Sequence, residues 1–273
     1  MDGSVTDDAG HLPGQEAFAT LLVTDAADRV VVQLNRPEVR NAINARMVAE
    51  LHAVCELLEA QPKVLILHGT VGDEVAGIKG IFASGADIAE LRGRRRQDAL
   101  AGINSGLFER IAKLPMPVIA ALDGYALGGG AELAYATDFR IGTRALRMGQ
   151  PETSLGIMAA AGATWRLKEL VGEPVAKAML LAGRILTGEG ALAVGLITEL
   201  VEQAGLLDAA HGLADRICAQ DPMALQATKR VFHAPREAHP AVDNLAQAEL
   251  FESPAKFERM QAFLDKKQDR KPT

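Results

Sequence analysis

The sequence predicts an α/β fold with a helical C-terminal region. Short apolar runs alternate with stretches of helical periodicity up to about residue 202, and such alternation is typical of α/β proteins. Beyond that point helical patterns continue without a strand-like run. The 273 residues are 48% hydrophobic and 23% charged, which is ordinary for a globular protein and sufficient for one large domain with a small appendage.

Five short runs of aliphatic and β-branched residues predict strands. The run at residues 64–68 is apolar up to its last residue, a pattern that favours a strand buried on both faces. In chain order, the predicted strands span residues 30–34, 64–68, 117–122, 139–143 and 197–201.

Helices are predicted between these strands and after them. In residues 44–60, Met47, Leu51 and Val54 recur at three- and four-residue steps, which places them on one helix face. The other predicted helices span residues 104–114, 131–136, 206–219, 222–232 and, as one or two helices, 241–264.

Charge and cysteine content exclude several classes of protein. The net charge of −6, from 29 basic and 35 acidic residues, argues against nucleic-acid binding because like charges repel. No apolar run is long enough to predict a membrane span. The two cysteines lie far apart and the histidines lack metal-ligand spacing, so we expect no metal site, no disulfide framework and a cytoplasmic location. Residues 1–14 lack the apolar core of a signal peptide and predict a loose tail.

Three segments have the residue types that a reaction site needs. Residues 81–88 (IFASGADI) are rich in small residues, which let a ligand approach the backbone. In residues 123–133 (DGYALGGGAEL) a strand leads through three glycines into a helix whose first N–H groups can bind an anion, with Glu132 in the first turn. In residues 148–156 (MGQPETSLG), Glu152 lies in a proline-marked turn and can point into a cleft. Each segment alone is more often structural, but the three in this order favour one shared site.

Taken together, these segments resemble the enoyl-CoA hydratase/isomerase (crotonase) superfamily. The resemblance covers roughly residues 20–265 and implies a crotonase-like ββα spiral core. It implies a tail over residues 1–17, the core over 18–203 and a helical region over 204–273 that packs against neighbours in a homo-oligomer, a trimer or hexamer. The matching segments are GADI at 85–88, GYALGGGAEL at 124–133, QPE at 150–152, LGI at 155–157, and residues 34–42 and 187–197.

The resemblance also implies a site, residue by residue. Ala86 and Gly129 match the oxyanion hole, in which two backbone N–H groups bind the thioester carbonyl oxygen of an acyl-CoA. Glu132 and Glu152 match the two acids of the hydratases in identity and separation. The residues that match contacts to the CoA ester are Arg40, Ala42, Ser84, Asp87 and Ile88.

The implied reaction is the hydration of a 2-enoyl-CoA to a 3-hydroxyacyl-CoA in fatty-acid metabolism. We expect it to need no metal and no cofactor, with coenzyme A entering as part of the substrate. Glu132 is expected to deprotonate the water and Glu152 to deliver a proton to C2, and the opposite assignment stays open. Two carboxylates that share one water predict at least one raised pKa.

Two other functions stay open at this level. A Δ3-Δ2 enoyl-CoA isomerase needs only one of the glutamates. A non-catalytic protein of the same fold that binds acyl-CoA or RNA needs neither, and both the pair of glutamates and the acidic charge argue against it. The run Ala159–Ala163 replaces a Pro-Gly-Ala-Gly-Gly run common in relatives, so the acyl group is not indicated.

Overall fold

The computed structural model describes residues 18–73 and 75–268; the tail predicted at residues 1–17 lies outside them. Within the described residues the chain forms ten strands and eleven α-helices. Strands β1 to β10 are Leu21–Asp25, Arg29–Leu34, Val64–His68, Ile81–Ala83, Val118–Leu122, Tyr125–Leu127, Phe139–Thr143, Arg147–Gly149, Leu186–Thr187 and Glu199–Val201. Helices α1 to α11 are Ala45–Ala60, Ile88–Gly93, Arg96–Ala101, Ile103–Ala112, Gly129–Tyr135, Lys168–Ala182, Gly188–Ala193, Leu206–Cys218, Pro222–Phe232, Ala241–Phe251 and Pro254–Gln268.

The strands form two sheets, and the chain alternates between them. The first sheet has the order β1-β2-β3-β5-β7-β10 and the second the order β4-β6-β8-β9. The pairs β3/β4, β5/β6 and β7/β8 each place one strand in the first sheet and the next in the second, before the chain continues into helix. This repeated ββα course is the predicted crotonase-like spiral, and the five predicted strands all belong to the first sheet.

The first sheet is parallel except at its β1–β2 edge, and its centre is fully buried. Every residue of β3 and β5 is buried, which confirms the two-sided burial predicted for residues 64–68. Helix α1 begins at its N-cap Asn44, whose side chain accepts a hydrogen bond from the Met47 N–H at 2.9 Å. Met47, Leu51 and Val54 are buried on the predicted face of α1.

Asp123 fixes the turn that connects β5 to β6. Its carboxylate is 2% exposed and accepts hydrogen bonds from the backbone N–H groups of Gly72 at 2.8 Å and Gly124 at 3.0 Å. The side chains of Gln203 and Thr143 donate to the same carboxylate. Because β6 leads directly to the glycines at residues 128–130, this network sets where the following helix α5 begins.

Replacing Asp123 by Ala is expected to lower the free energy of unfolding by about 3 kcal/mol, because it leaves buried donors without an acceptor. Urea unfolding of the variant measures this loss. The exposed acid Glu56 on α1 provides the control, since Glu56→Ala should change stability by less than about 0.5 kcal/mol. A loss of under about 1 kcal/mol in Asp123→Ala would show that the turn holds without this carboxylate.

The described chain divides into two compact units, one ending at Ile217 and one beginning at Cys218. All of helix α8 except its last residue belongs to the first unit, where Arg29 of β2 donates to the backbone oxygen of His211 at 3.0 Å and pairs with Asp215 at 2.5 Å. The second unit contains α9, α10 and α11, and the division predicted at 203/204 stays a prediction. None of the helices in residues 18–73 and 75–268 combines the length and apolarity that crossing a bilayer requires.

Candidate active site

A cavity of about 490 Å³ lies in the first unit, where the residues after β4, the start of α5 and the residues after β8 come together. Six of the residues singled out from the sequence line it, and the other three, Arg40, Ala42 and Asp87, do not. The six are Ser84, Ala86, Ile88, Gly129, Glu132 and Glu152.

Two backbone N–H groups of the cavity are free to bind a ligand. The Ile43 N–H donates to Gly85 O at 2.8 Å and the Asp87 N–H donates to Ile43 O at 2.9 Å, which fixes the backbone on both sides of Ala86. In the part of the chain that the structure describes, neither the Ala86 N–H nor the Gly129 N–H has an acceptor. A Cβ atom built on Gly129 would lie 3.4 Å from the Ala86 nitrogen, so the two amides are close neighbours.

Glu132 is a buried carboxylate held by backbone N–H groups of residues 161 and 163. The side chain is 3% exposed, and its Oε1 accepts from the N–H groups of Ala161 at 2.7 Å and Ala163 at 3.1 Å. The positive φ of +138° at Gly162 belongs to the turn that presents both amides. Burial raises the pKa of Glu132, and the two amide bonds oppose that rise.

Glu152 faces the same cavity from a 3₁₀ turn, Glu152–Leu155, at the place where the sequence predicted a turn. Its side chain is 8% exposed, and burial, with a contribution from the charge of Glu132, raises its pKa to about 7. A Cβ atom on Gly128 would lie 2.6 Å from Glu152 Oε1, so a larger residue at that position would displace the carboxylate from where it now lies.

Gln150 and Tyr135 hold Glu152, and sequence analysis gave neither of them a role. With its amide nitrogen facing Glu152, Gln150 donates to Oε1 at 3.1 Å and to Oε2 at 2.9 Å. The buried Tyr135 shares a hydrogen bond with the Gln150 side chain, and burial raises the pKa of the Tyr135 phenol, which keeps its proton. The signal for Tyr135 is its position three residues after Glu132, which puts both on one face of α5.

The three remaining sequence-predicted residues support backbone close to the cavity. Asp87 pairs with Arg36 at 3.0 Å and accepts from the Ala89 N–H at 3.1 Å as the N-cap of α2. The carbonyl oxygen of Arg40 accepts from the Ser84 N–H at 3.0 Å, and that of Ala42 accepts from Arg36 at 2.6 Å. Their roles as contacts to CoA stay predictions.

The raised pKa of Glu152 predicts a pH-dependent effect on stability. The unfolded carboxyl titrates near 4.5 and the folded one near 7, so this group's contribution is complete below 4.5 and is lost as the pH rises through 7. The free energy of unfolding of Glu152→Gln, relative to that of the wild type, should therefore rise by about 2 kcal/mol as the pH is raised from about 4 to about 8, after allowance for solvent screening. Urea unfolding at the two pH values measures the change. A difference between Glu152→Gln and the wild type that stays constant over this pH range would contradict the assigned pKa.

Comparison with known proteins identifies the family of this chain. Residues 26–271 match the family model described as enoyl-CoA hydratase/isomerase. The short-chain-enoyl-CoA hydratase of Clostridium acetobutylicum is 35% identical over 248 residues, which cover 87% of this chain and 91% of that protein. Human enoyl-CoA hydratase domain-containing protein 2, a mitochondrial protein, is 34% identical over 250 residues, 86% of this chain and 82% of its own.

Solved structures show the same fold. The crystal structure of enoyl-CoA hydratase from Bacillus anthracis superposes with a TM-score of 0.82 at 30% identity, over 93% of this chain and 98% of that one. Its crotonase fold agrees with the two-sheet ββα spiral found here. On these matches of sequence and fold, the chain belongs to the enoyl-CoA hydratase/isomerase family.

Proposed function

We propose that this protein hydrates a 2-enoyl-CoA thioester to a 3-hydroxyacyl-CoA, with Glu132 as its base and Glu152 as its acid. The observation that carries the proposal is that two free amides and two buried carboxylates, both with raised pKa values, line one cavity. The hydratase names of relatives that align over most of this chain support the reaction class.

The two amides act on the charge that develops during addition. When oxygen attacks C3, the C2=C3 electron pair moves towards the carbonyl and the thioester oxygen gains negative charge. The N–H groups of Ala86 and Gly129 are close enough to donate to that one oxygen. A fixed donor of this kind is typically worth about 3 to 4 kcal/mol in the transition state.

The two glutamates carry out the two proton transfers of the addition. Glu132, fixed through Oε1 by two amides, takes a proton from the water as the C3–O bond forms. Glu152, held by Gln150, gives its proton to C2 as the enolate collapses back to the thioester. At the end of the reaction Glu132 carries a proton and Glu152 has lost one. Exchange of protons between the two carboxyls and solvent restores the starting state.

A Δ3-Δ2 enoyl-CoA isomerase is the second candidate. Isomerisation moves one proton between C4 and C2, and a single carboxyl with a pKa of about 7 suits both its removal and its return. The two reactions share the enolate and the amides, and differ in whether water is added.

One assay separates the two functions. Purified protein is incubated with 2-enoyl-CoA esters of several acyl lengths and with a 3-enoyl-CoA. Loss of the conjugated thioester absorbance, with 3-hydroxyacyl-CoA identified by mass spectrometry, is the expected result. Conversion of the 3-enoyl-CoA to the 2-enoyl-CoA without hydration would favour the isomerase, and tight binding without turnover of either would favour the non-catalytic protein.

We further propose that the protein acts as a homo-oligomer in the cytoplasm, with coenzyme A bound only as part of the substrate. The oligomer expected from the family is a trimer or hexamer. Sedimentation equilibrium tests the oligomer directly, because the two states differ twofold in mass from one another and both differ from the 28.9 kDa single chain.

A further inference from the structure

Arg94 and Asn104 are polar residues of the cavity lining whose side chains the proposed hydration does not use. Arg94 lies between α2 and α3, and Asn104 lies in the first turn of α4; both line the cavity. Arg94 donates to Asn104 Oδ1 at 3.4 Å. The Asn104 amide nitrogen lies 3.6 Å from where a Cβ atom of Gly129 would be, so it stands beside the Gly129 amide.

Both groups have unused capacity to donate hydrogen bonds. Among residues 18–73 and 75–268, no carboxylate pairs with Arg94, and no acceptor binds the Asn104 amide nitrogen. The neighbouring Arg95 and Asp98 also line the cavity, but their opposite charges offset each other and Asp98 accepts from the Arg95 N–H at 2.7 Å. Arg94 is therefore a half-buried cation of the lining without a counter-ion in the described chain.

We propose that Arg94 and Asn104 select a 2-enoyl-CoA whose acyl group bears a carboxylate. This names the acyl group of the proposed hydration and so rests on that function. A guanidinium binds a carboxylate through two parallel N–H donors, and an amide N–H₂ adds a further one. The Asn104 amide nitrogen is available as a donor because no acceptor in the described chain binds it, while the amide oxygen accepts from Arg94.

The position of the pair favours the acyl group over the phosphates of coenzyme A. Asn104 stands next to Gly129, whose amide is the proposed ligand of the thioester oxygen. The long pantetheine arm separates the thioester from the nearest phosphate, so an anion beside Asn104 belongs to the acyl side of the ester. The cavity lining also offers apolar side chains that suit methylene groups, namely Leu91, Ile103, Leu155, Ile157 and Met158.

The test compares two substrates of similar length that differ in charge. The value of kcat/KM is measured for 4-carboxy-2-butenoyl-CoA and for the uncharged 2-hexenoyl-CoA. The wild type should favour the carboxylated ester at least tenfold, and Arg94→Gln should lower the ratio of the two values at least tenfold, since it removes a charged hydrogen bond. Arg92→Gln is the matched control, because Arg92 belongs to the same run, is exposed and does not line the cavity, so the ratio should stay as in the wild type.

Two outcomes would overturn the proposal. In one, the wild type favours the uncharged ester; in the other, Arg94→Gln lowers both kcat/KM values by the same factor, which is the result expected of a phosphate contact. Binding of the saturated esters 4-carboxybutanoyl-CoA and hexanoyl-CoA, measured by calorimetry, separates this inference from the proposed function. If the wild type binds the carboxylated ester tenfold more tightly and Arg94→Gln loses this preference, the proposed role of Arg94 and Asn104 is supported even when no hydration occurs. If the wild type binds both esters equally, that role is refuted even when hydration occurs.

Discussion

Replacing either Glu132 or Glu152 by glutamine is expected to lower kcat for hydration about a hundred- to ten-thousandfold, because the amide keeps the shape of the side chain but transfers no proton. In Glu132→Gln the amide oxygen can still accept from the N–H groups of Ala161 and Ala163, so the local fold should persist. The loss should appear in kcat, while the Kd for a saturated acyl-CoA changes little. Steady-state kinetics and calorimetry on the two variants measure both quantities.

The two variants also distinguish the reactions of the family. A hydratase needs both carboxyls, so each variant should lose activity to a similar extent. An isomerase needs one, so one variant should retain turnover of a 3-enoyl-CoA. The exposed Glu56→Gln serves as the control and should keep the wild-type kcat. Hydration within tenfold of the wild type in either variant would remove that glutamate from the mechanism.

Sequence patterns predicted the first sheet well, for a physical reason. Strands such as Val64–His68 and Val118–Leu122 are buried on both faces, so they appear in the sequence as continuous apolar runs. The helix Ala45–Ala60 was also predicted, because its buried stripe recurs at helical spacing. Both patterns arise from several buried residues along a strand or helix, so one residue of a different type does not hide them. No helix was predicted over α2, α3, α6 or α7; the long helix α6 buries only Ala176 and Met179 and so lacks such a stripe.

The second sheet was not predicted, because its strands are too short to show a pattern. Ile81–Ala83, Tyr125–Leu127 and Arg147–Gly149 have three residues each, and Leu186–Thr187 has two. Such segments are held by pairing with partners far away in the chain rather than by a local preference. Yet Ser84 and Pro151, which line the cavity, follow the ends of β4 and β8, so the site depends on elements that only the structure reveals.

Within the site, motifs located the reacting groups but not the groups that hold them. Glu132 and Glu152 follow from the resemblance to the family, and both line the cavity. The Ala161 and Ala163 amides bind Glu132 through their backbone, and a backbone contact leaves no mark on residue type. Asp87 shows the converse: a carboxylate within a motif forms an ion pair with Arg36 instead of facing the cavity.

Gly130→Ala is expected to lower kcat/KM about a hundredfold. A Cβ atom at this position would lie 2.3 Å from the carbonyl oxygen of Ala83 and 2.7 Å from its Cβ, so α5 and β4 must move apart. Gly129 directly precedes Gly130, and Ala86 follows Ala83 by three residues. One added methyl group therefore separates the two amides proposed to bind the thioester oxygen, and a misplacement of about 1 Å can cost a hundredfold in rate.

Stability measurements show whether the lost activity reflects misplacement or unfolding. Overpacking at Gly130 should lower the free energy of unfolding by about 1 to 3 kcal/mol, which leaves a typical domain folded. Gly106→Ala on α4 is the matched control: its Cβ would meet nothing within 4 Å, so it should keep full activity and gain up to about 1 kcal/mol. If Gly130→Ala stays folded and retains wild-type kcat/KM, the close approach of α5 to β4 does not set the spacing of the amides. A folded variant with a reduced kcat is the result that ties this glycine to the charge stabilised in the transition state.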